Sequence, residues 1–224
     1  ALNMHGGVPK EEVQITNLEA LRKGLANLDK HVENLRKFGL PIVVALNQFP
    51  TDDPEELNLV REHCAELGVR CAISRVVAEG GAGGEELAKT VLEVLETEPA
   101  QFKPLYDWKL PIKEKLAILA KEIYGADDVV YAPKAETSIR DLTRLGYGEL
   151  PVCVAKTQHS ISDNPKLKGA PKGWKLTITD VRPSLGAGFL VCLAGDIMTM
   201  PGLPAKPAAE NVDIDAEGRI TGLF

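Results

Sequence analysis

The sequence lacks any apolar run near the ~20 residues that a membrane-spanning helix requires; its longest, Pro41 to Leu46, is far shorter. No membrane partner is expected. It has no excess of positive charge, since 26 Lys and Arg face 32 Asp and Glu for a net charge of −6. Without a basic stripe to neutralise phosphates, nucleic acid is not an expected partner either. Cysteine is sparse: Cys64, Cys71, Cys153 and Cys192 are scattered with no Cys-x-x-Cys pair, which predicts reduced, largely buried thiols and a cytoplasmic protein. The four histidines (His5, His31, His63, His159) show no zinc-ligand spacing, so no metal site is expected. The first residues have neither the basic nor the apolar region of a signal peptide. They open on Ala1 rather than Met, which reads as a start inside a longer protein. No Ser/His/Asp set, pair of acids or nucleophilic cysteine can be assembled from spacing, and no catalytic residue is assigned.

What is present is ordinary globular material, 44% hydrophobic and 26% charged over 224 residues. That length suits one large domain or two small ones. Residues 16–38 predict a helix: Thr16-Asn17-Leu18-Glu19 reads as a capping box, and Leu18, Leu21, Leu25, Leu28, Val32 and Leu35 form one apolar stripe. Gly39 closes it. Pro41 to Leu46 then predicts a strand buried on both faces of a parallel sheet. A second helix starts at Asp53-Pro54 with Leu57, Val60, Cys64 and Leu67 inward. A strand over Val69 to Ser74 and a third helix with Leu87, Val91 and Leu95 inward follow. This alternation is βαβ grammar and predicts an α/β fold, a partial doubly wound parallel sheet that lacks its first strands. The expected organisation is a domain over 1–98, a linker over 99–111 and a smaller α/β domain over 112–224. In the last, Pro111 to Tyr124 and Ala135 to Leu145 read as helices. Val129 to Tyr131, Pro151 to Ala155, Lys175 to Val181 and Phe189 to Leu193 read as strands, and Asp213 to Ile220 as a small hairpin.

Three loops suit a ligand. Asn47-Gln48-Phe49-Pro50-Thr51-Asp52 follows a strand end, where Asn47 and Phe49 would suit a flat heterocycle; the alternative is a turn with Phe49 in the core. Glu79-Gly80-Gly81-Ala82-Gly83-Gly84 lies between a strand and a helix start. Its backbone could approach an anion, or it is simply a flexible loop; it matches neither phosphate-loop nor dinucleotide patterns. Lys156-Thr157-Gln158-His159-Ser160 is rich in donors that suit an anionic group, the alternative being a solvated, self-capped loop. Gly186-Ala187-Gly188 and Met198 to Pro204 read as tight turns.

Taken in order, these segments resemble the C-terminal portion of the formate–tetrahydrofolate ligases. The matching pieces are Ala1 to Gly7, Phe38 to Thr51, Ala78 to Gly83, Ile123 to Ala126, Val154 to Gln158, Gly186 to Phe189, Met198 to Pro204 and Gly222-Leu223-Phe224. The resemblance implies a lineage shared with P-loop NTPases and a reaction in which ATP, with Mg²⁺, activates formate as formyl phosphate. The N10 amine of tetrahydrofolate then attacks it, giving 10-formyltetrahydrofolate for one-carbon metabolism. It implies that the nucleotide loop belongs to an N-terminal half that these residues do not include. This chain would then carry the folate side and be inactive alone, needing a partner half or a homo-oligomer. The alternative is a noncatalytic folate-binding or subunit-assembly fragment. The resemblance also implies that the pterin lies between Phe49, with Pro50 beside it, and an aromatic at the position of Val77. Asn47 and the loop residues Gly80, Gly81, Lys156 and Thr157 complete the implied set. Two positions depart from the family pattern: Val77 stands where a tryptophan is usual, and Asn3 where a lysine is usual.

Overall fold

The computed structural model describes residues 1–195, 197 and 206–222. It is a mixed α/β protein whose sheet pairings are mainly parallel. A short helix α1 (Leu2–His5) packs on the long helix α2 (Leu18–Arg36). The contact is close because both elements offer glycine. A Cβ on Gly24 would lie 2.0 Å from the Leu2 carbonyl oxygen, and one on Gly6 would lie 1.8 Å from that of Ala20. Only glycine permits that approach.

Helix α2 starts one residue later than the capping box predicts. Asn17 is the cap, its side chain accepting from the Ala20 amide at 2.9 Å. Thr16 instead turns its hydroxyl to the Asp53 carboxylate in a charge-assisted bond rather than accepting from a helix amide, and Glu19 pairs with Lys23. Of the expected stripe, Leu21, Leu25 and Val32 are buried but Leu35 is exposed.

Strand β1 (Val43–Asn47) pairs in parallel with β2 (Arg70–Ser74) through α3 (Pro54–Glu66), which Asp53 caps and Pro54 starts. Val44, Leu46 and Cys71 pack with Leu21, Leu25, Val60 and Cys64 into one small core. The expectation of a fully buried β1 fails: Ala45 and Asn47 are exposed and no residue of the strand is fully buried. Among the described residues β1 has a neighbour on one edge only, so it lacks the cover that a central strand receives.

After β2 the chain turns through α4 (Val76–Glu79) and a 3₁₀ segment, Gly80–Gly84, into α5 (Glu85–Thr97). The inward face of α5 is not the predicted one. Val94 is buried, whereas Val91, Leu92 and Leu95 are exposed, because a two-stranded sheet meets only a narrow stripe of the helix.

The second sheet has strand order β3-β5-β6-β4, from β3 (Asp128–Tyr131), β4 (Val152–Ala155), β5 (Lys175–Ser184) and β6 (Phe189–Ala194). Strands β5 and β6 are antiparallel and the outer pairs parallel. Helices α6 (Ile112–Leu119) and α7 (Pro133–Arg144) cover it, and Leu116, Ile139, Leu176, Ile178 and Leu190 lie in its core. The predicted helix to Tyr124 ends in a π-helical turn, Ala120–Tyr124, which Gly125 stops with φ +68°. The Gly186–Gly188 turn joins β5 to β6, and β7 (Asp213–Ile214) pairs with β8 (Ile220–Thr221) as the expected hairpin. The predicted turn over Met198 to Pro204 and the terminal Leu223-Phe224 lie outside the described residues.

Segment 99–111 is held to the end of α2: Gln101 donates to the Gly39 carbonyl at 2.7 Å, and Phe102 stacks on Phe38 with centroids 6.5 Å apart. Helix α2 also reaches the second sheet's elements through polar bonds, Asn34 to the Ile123 carbonyl (2.8 Å) and Asn27 to that of Gly169 (3.1 Å). No described helix is long and apolar enough to cross a membrane. The four cysteines are free, Cys64 and Cys192 being buried and Cys153 exposed.

Candidate functional site

The parallel register places Asn47 opposite Ser74 at the C-terminal ends of β1 and β2, and the Gln48 amide donates to the Ser74 carbonyl at 2.9 Å. The two predicted ligand loops therefore leave adjacent strand ends, where open α/β sheets form their crevices. The first loop turns sharply because the Asp52 carboxylate accepts from the Phe49 amide at 2.8 Å. That holds the ring outward. Phe49 is 47% exposed, so the alternative of a core-packed Phe49 does not describe this chain.

Beside the ring lies a cavity of about 450 Å³. Asn47 and Phe49 line it, together with Asn3, Asp52 and Glu56 and the apolar Leu21 and Val60. Its polar wall is built from the chain's first turn. Asn3 is buried and donates to both oxygens of Glu56, at 3.0 and 3.2 Å, and Glu56 also accepts from the Asn17 amide at 2.8 Å. The Asn3 Oδ1 atom has no hydrogen-bond partner. A buried acceptor left open costs ~1–3 kcal/mol unless something supplies a donor. Acids and open acceptors together suit a ring rich in N–H groups.

Pro50 is exposed on the same loop. Val77, 59% exposed, lies on α4 beyond β2 and does not line the cavity. Gly80 and Gly81 are exposed on the following turn. Gly80 has φ +61°, which only glycine adopts readily, and a Cβ on Gly83 would meet the Arg75 backbone at 2.5 Å. Two of these glycines therefore have structural reasons. The first turn of α5 carries Glu85 and Glu86, and Glu86 already accepts from the Ile73 amide at 3.2 Å. Those acids work against an anion at that helix start.

Lys156 and Thr157 are elsewhere, at the end of β4. Lys156 lines a different cavity, with His5, His31 and Asn34, and Thr157 is buried beside it. Sequence reading missed Asn3 and Glu56 as cavity partners, because they come together only through the packing of α1 on α2 and α3. It also dismissed His5 and His31 as scattered. Asn27, His31 and Asn34 recur at intervals of four and three alongside the apolar stripe of α2, and that polar stripe was the available signal.

The sequence has no Gly-x-x-x-x-Gly-Lys-Ser/Thr segment, and no group of three or more His, Cys, Asp or Glu side chains is placed to hold an ion among the described residues. The family comparison is nonetheless unambiguous: the family model described as formate--tetrahydrofolate ligase matches residues 1–224, and the chain belongs to the formate–tetrahydrofolate ligase family.

Proposed function

We propose that this chain supplies the tetrahydrofolate side of a ligase that joins formate to tetrahydrofolate, and that the Mg·ATP chemistry comes from residues outside it. The observation that carries the reading is the half-exposed Phe49 ring at the mouth of a cavity lined by Asn3, Asn47 and Glu56. A reduced pterin is flat and rich in N–H donors. It would stack on Phe49 with Pro50 beside it and donate to the open Asn3 Oδ1 atom and the acidic wall. Val77, Gly80 and Gly81 would close the far side of the crevice. Val77 contributes dispersion only, so binding is weak. The exposed Val91, Leu92 and Leu95 of α5 offer an apolar face to the partner half or to a second copy, and the setting is cytoplasmic.

A calorimetric titration with 5-formyltetrahydrofolate tests this. Phe49→Ala should lose at least tenfold in affinity. Val77→Trp should gain up to about tenfold, since an added stacking partner contributes ~0.5–1.5 kcal/mol. Equal affinity of Phe49→Ala and the parent chain overturns the reading. The second reading, a noncatalytic folate-binding or assembly fragment, is favoured by the missing phosphate loop. Product formed from formate, ATP and tetrahydrofolate by these 224 residues alone would remove it.

A further inference from the structure

A second cavity, of about 540 Å³, opens between the polar face of α2 and the turns that follow α6 and β4. It shares no lining residue with the cavity beside Phe49. Leu35, Phe38, Leu119 and Ile123 give it apolar walls, and no carboxylate lines it.

Its one lysine has no ion-pair partner among the described residues. Lys156 Nζ donates to the Thr157 carbonyl at 3.1 Å and to that of Ser160, and stands 5.5 Å from the centroid of the Tyr124 ring. It makes no ion pair with any described residue. Burial lowers its pKa to about 8, with the Asp163 charge acting the other way. Its charge is felt at His31, which is held below its ordinary value by burial and then by Lys156. A partly buried ammonium without a counter-charge is costly, and an anion would relieve that cost.

Asn34 is the second observation. It is nine-tenths buried, and its Nδ2 donates to the Ile123 carbonyl at 2.8 Å. Its Oδ1 has no partner. The cavity thus holds a cation without an anion and an acceptor without a donor, between apolar walls.

From these we infer that the cavity binds a small heteroaromatic carboxylate, whose carboxylate pairs with Lys156 and whose ring N–H donates to Asn34 Oδ1. The flat ring body lies against Leu35, Phe38, Leu119 and Ile123. A charge-assisted bond to Lys156 supplies most of the recognition, and the neutral bond to Asn34 sets which ring is accepted. The inference does not rest on the reading of the Phe49 crevice.

The test is calorimetric titration of the whole chain at neutral pH with three probes: indole-3-propionate, its methyl ester and its 1-methyl derivative. The acid should bind at least tenfold more tightly than the ester and several-fold more tightly than the 1-methyl acid. Lys156→Gln should remove the preference for acid over ester, and Phe49→Ala should change none of the three affinities. If Lys156→Gln fails to fold, the acid and ester compared on the parent chain decide alone. Equal binding of acid and ester, or no binding of the acid at millimolar concentration, overturns the inference. So does loss of indole-3-propionate binding in Phe49→Ala, which would move the probe to the other crevice.

Discussion

Replacing Asp180 by Asn should destabilise the chain at neutral pH, and the deficit should disappear in acid. Asp180 lies on β5, only 5% exposed, and its carboxylate ties that strand to α7. Lys134 and Arg182 each reach Oδ2 at 2.9 Å, while Ser138 and the Val181 amide donate to Oδ1 at 3.2 and 2.9 Å. Burial disfavours the charged carboxylate, but the bonds from Lys134 and Arg182 outweigh it and hold the pKa at about 2, against the ordinary 3.8 of a free aspartate. A depressed acid pKa stabilises the fold above the unfolded value and loses that contribution as pH falls through the folded one. The full difference corresponds to ~2.4 kcal/mol at ~1.36 kcal/mol per pH unit. Lys134 and Arg182 are themselves mostly exposed, so solvent screening brings the expected loss to ~1–2 kcal/mol. Urea unfolding of Asp180→Asn and the parent chain at pH 7 should show that loss, and the curves should converge between pH 4 and pH 2 (roughly the window between the two pKa values). Equal midpoints at pH 7, or a deficit that persists unchanged to the acid end, would refute the reasoning.

Asn17→Ala should cost ~1 kcal/mol, read as a lower urea midpoint with unchanged slope, because the Ala20 amide loses its cap. Gly24→Ala should cost ~1–3 kcal/mol by overpacking, since its methyl would overlap the Leu2 carbonyl. Because α1 carries both Asn3 and His5, the same change should weaken 5-formyltetrahydrofolate and indole-3-propionate together, in the same titrations.

Elements with strong local signals were legible in the sequence. Asp53-Pro54 fixed the start of α3 and Gly39 the end of the α2 segment, because capping and left-handed closure are decided within a turn of chain. The failures share one cause, in that each depended on what lies across space. Thr16 leaves the cap to Asn17 and donates to Asp53, a charged acceptor remote in sequence. Val94 replaced Val91 and Leu95 as the buried residue of α5 because inward direction depends on how much sheet lies beneath a helix. The same holds for the sites. Asn47 and Phe49 could be singled out from their place after a strand, whereas Asn3 and Glu56 meet only when α1 and α3 pack together. Lys156 was visible as a donor, but its partners His31 and Asn34 are contributed by a helix more than a hundred residues earlier.

The two cavities differ in charge in a way that separates their ligands. The one beside Phe49 has Asp52 and Glu56 in its wall and an open amide oxygen, so it presents acceptors and negative charge. The one around Lys156 has no acid in its lining, a partly buried cation, and again an unpartnered amide oxygen. An anion placed in the first would face two carboxylates; a donor-rich neutral ring placed in the second would leave the lysine unpaired. The two cavities line different faces of the same helix, Leu21 and Leu28 on one side and Asn27, His31 and Asn34 on the other. Leu21 and Leu28 of the apolar stripe thus reach the first cavity, whereas Leu35 of the same stripe joins Asn27, His31 and Asn34 in the second. A substitution at Leu28 should therefore alter the first specificity and one at His31 the second, each sparing the other, while a change at the α1–α2 contact reaches both.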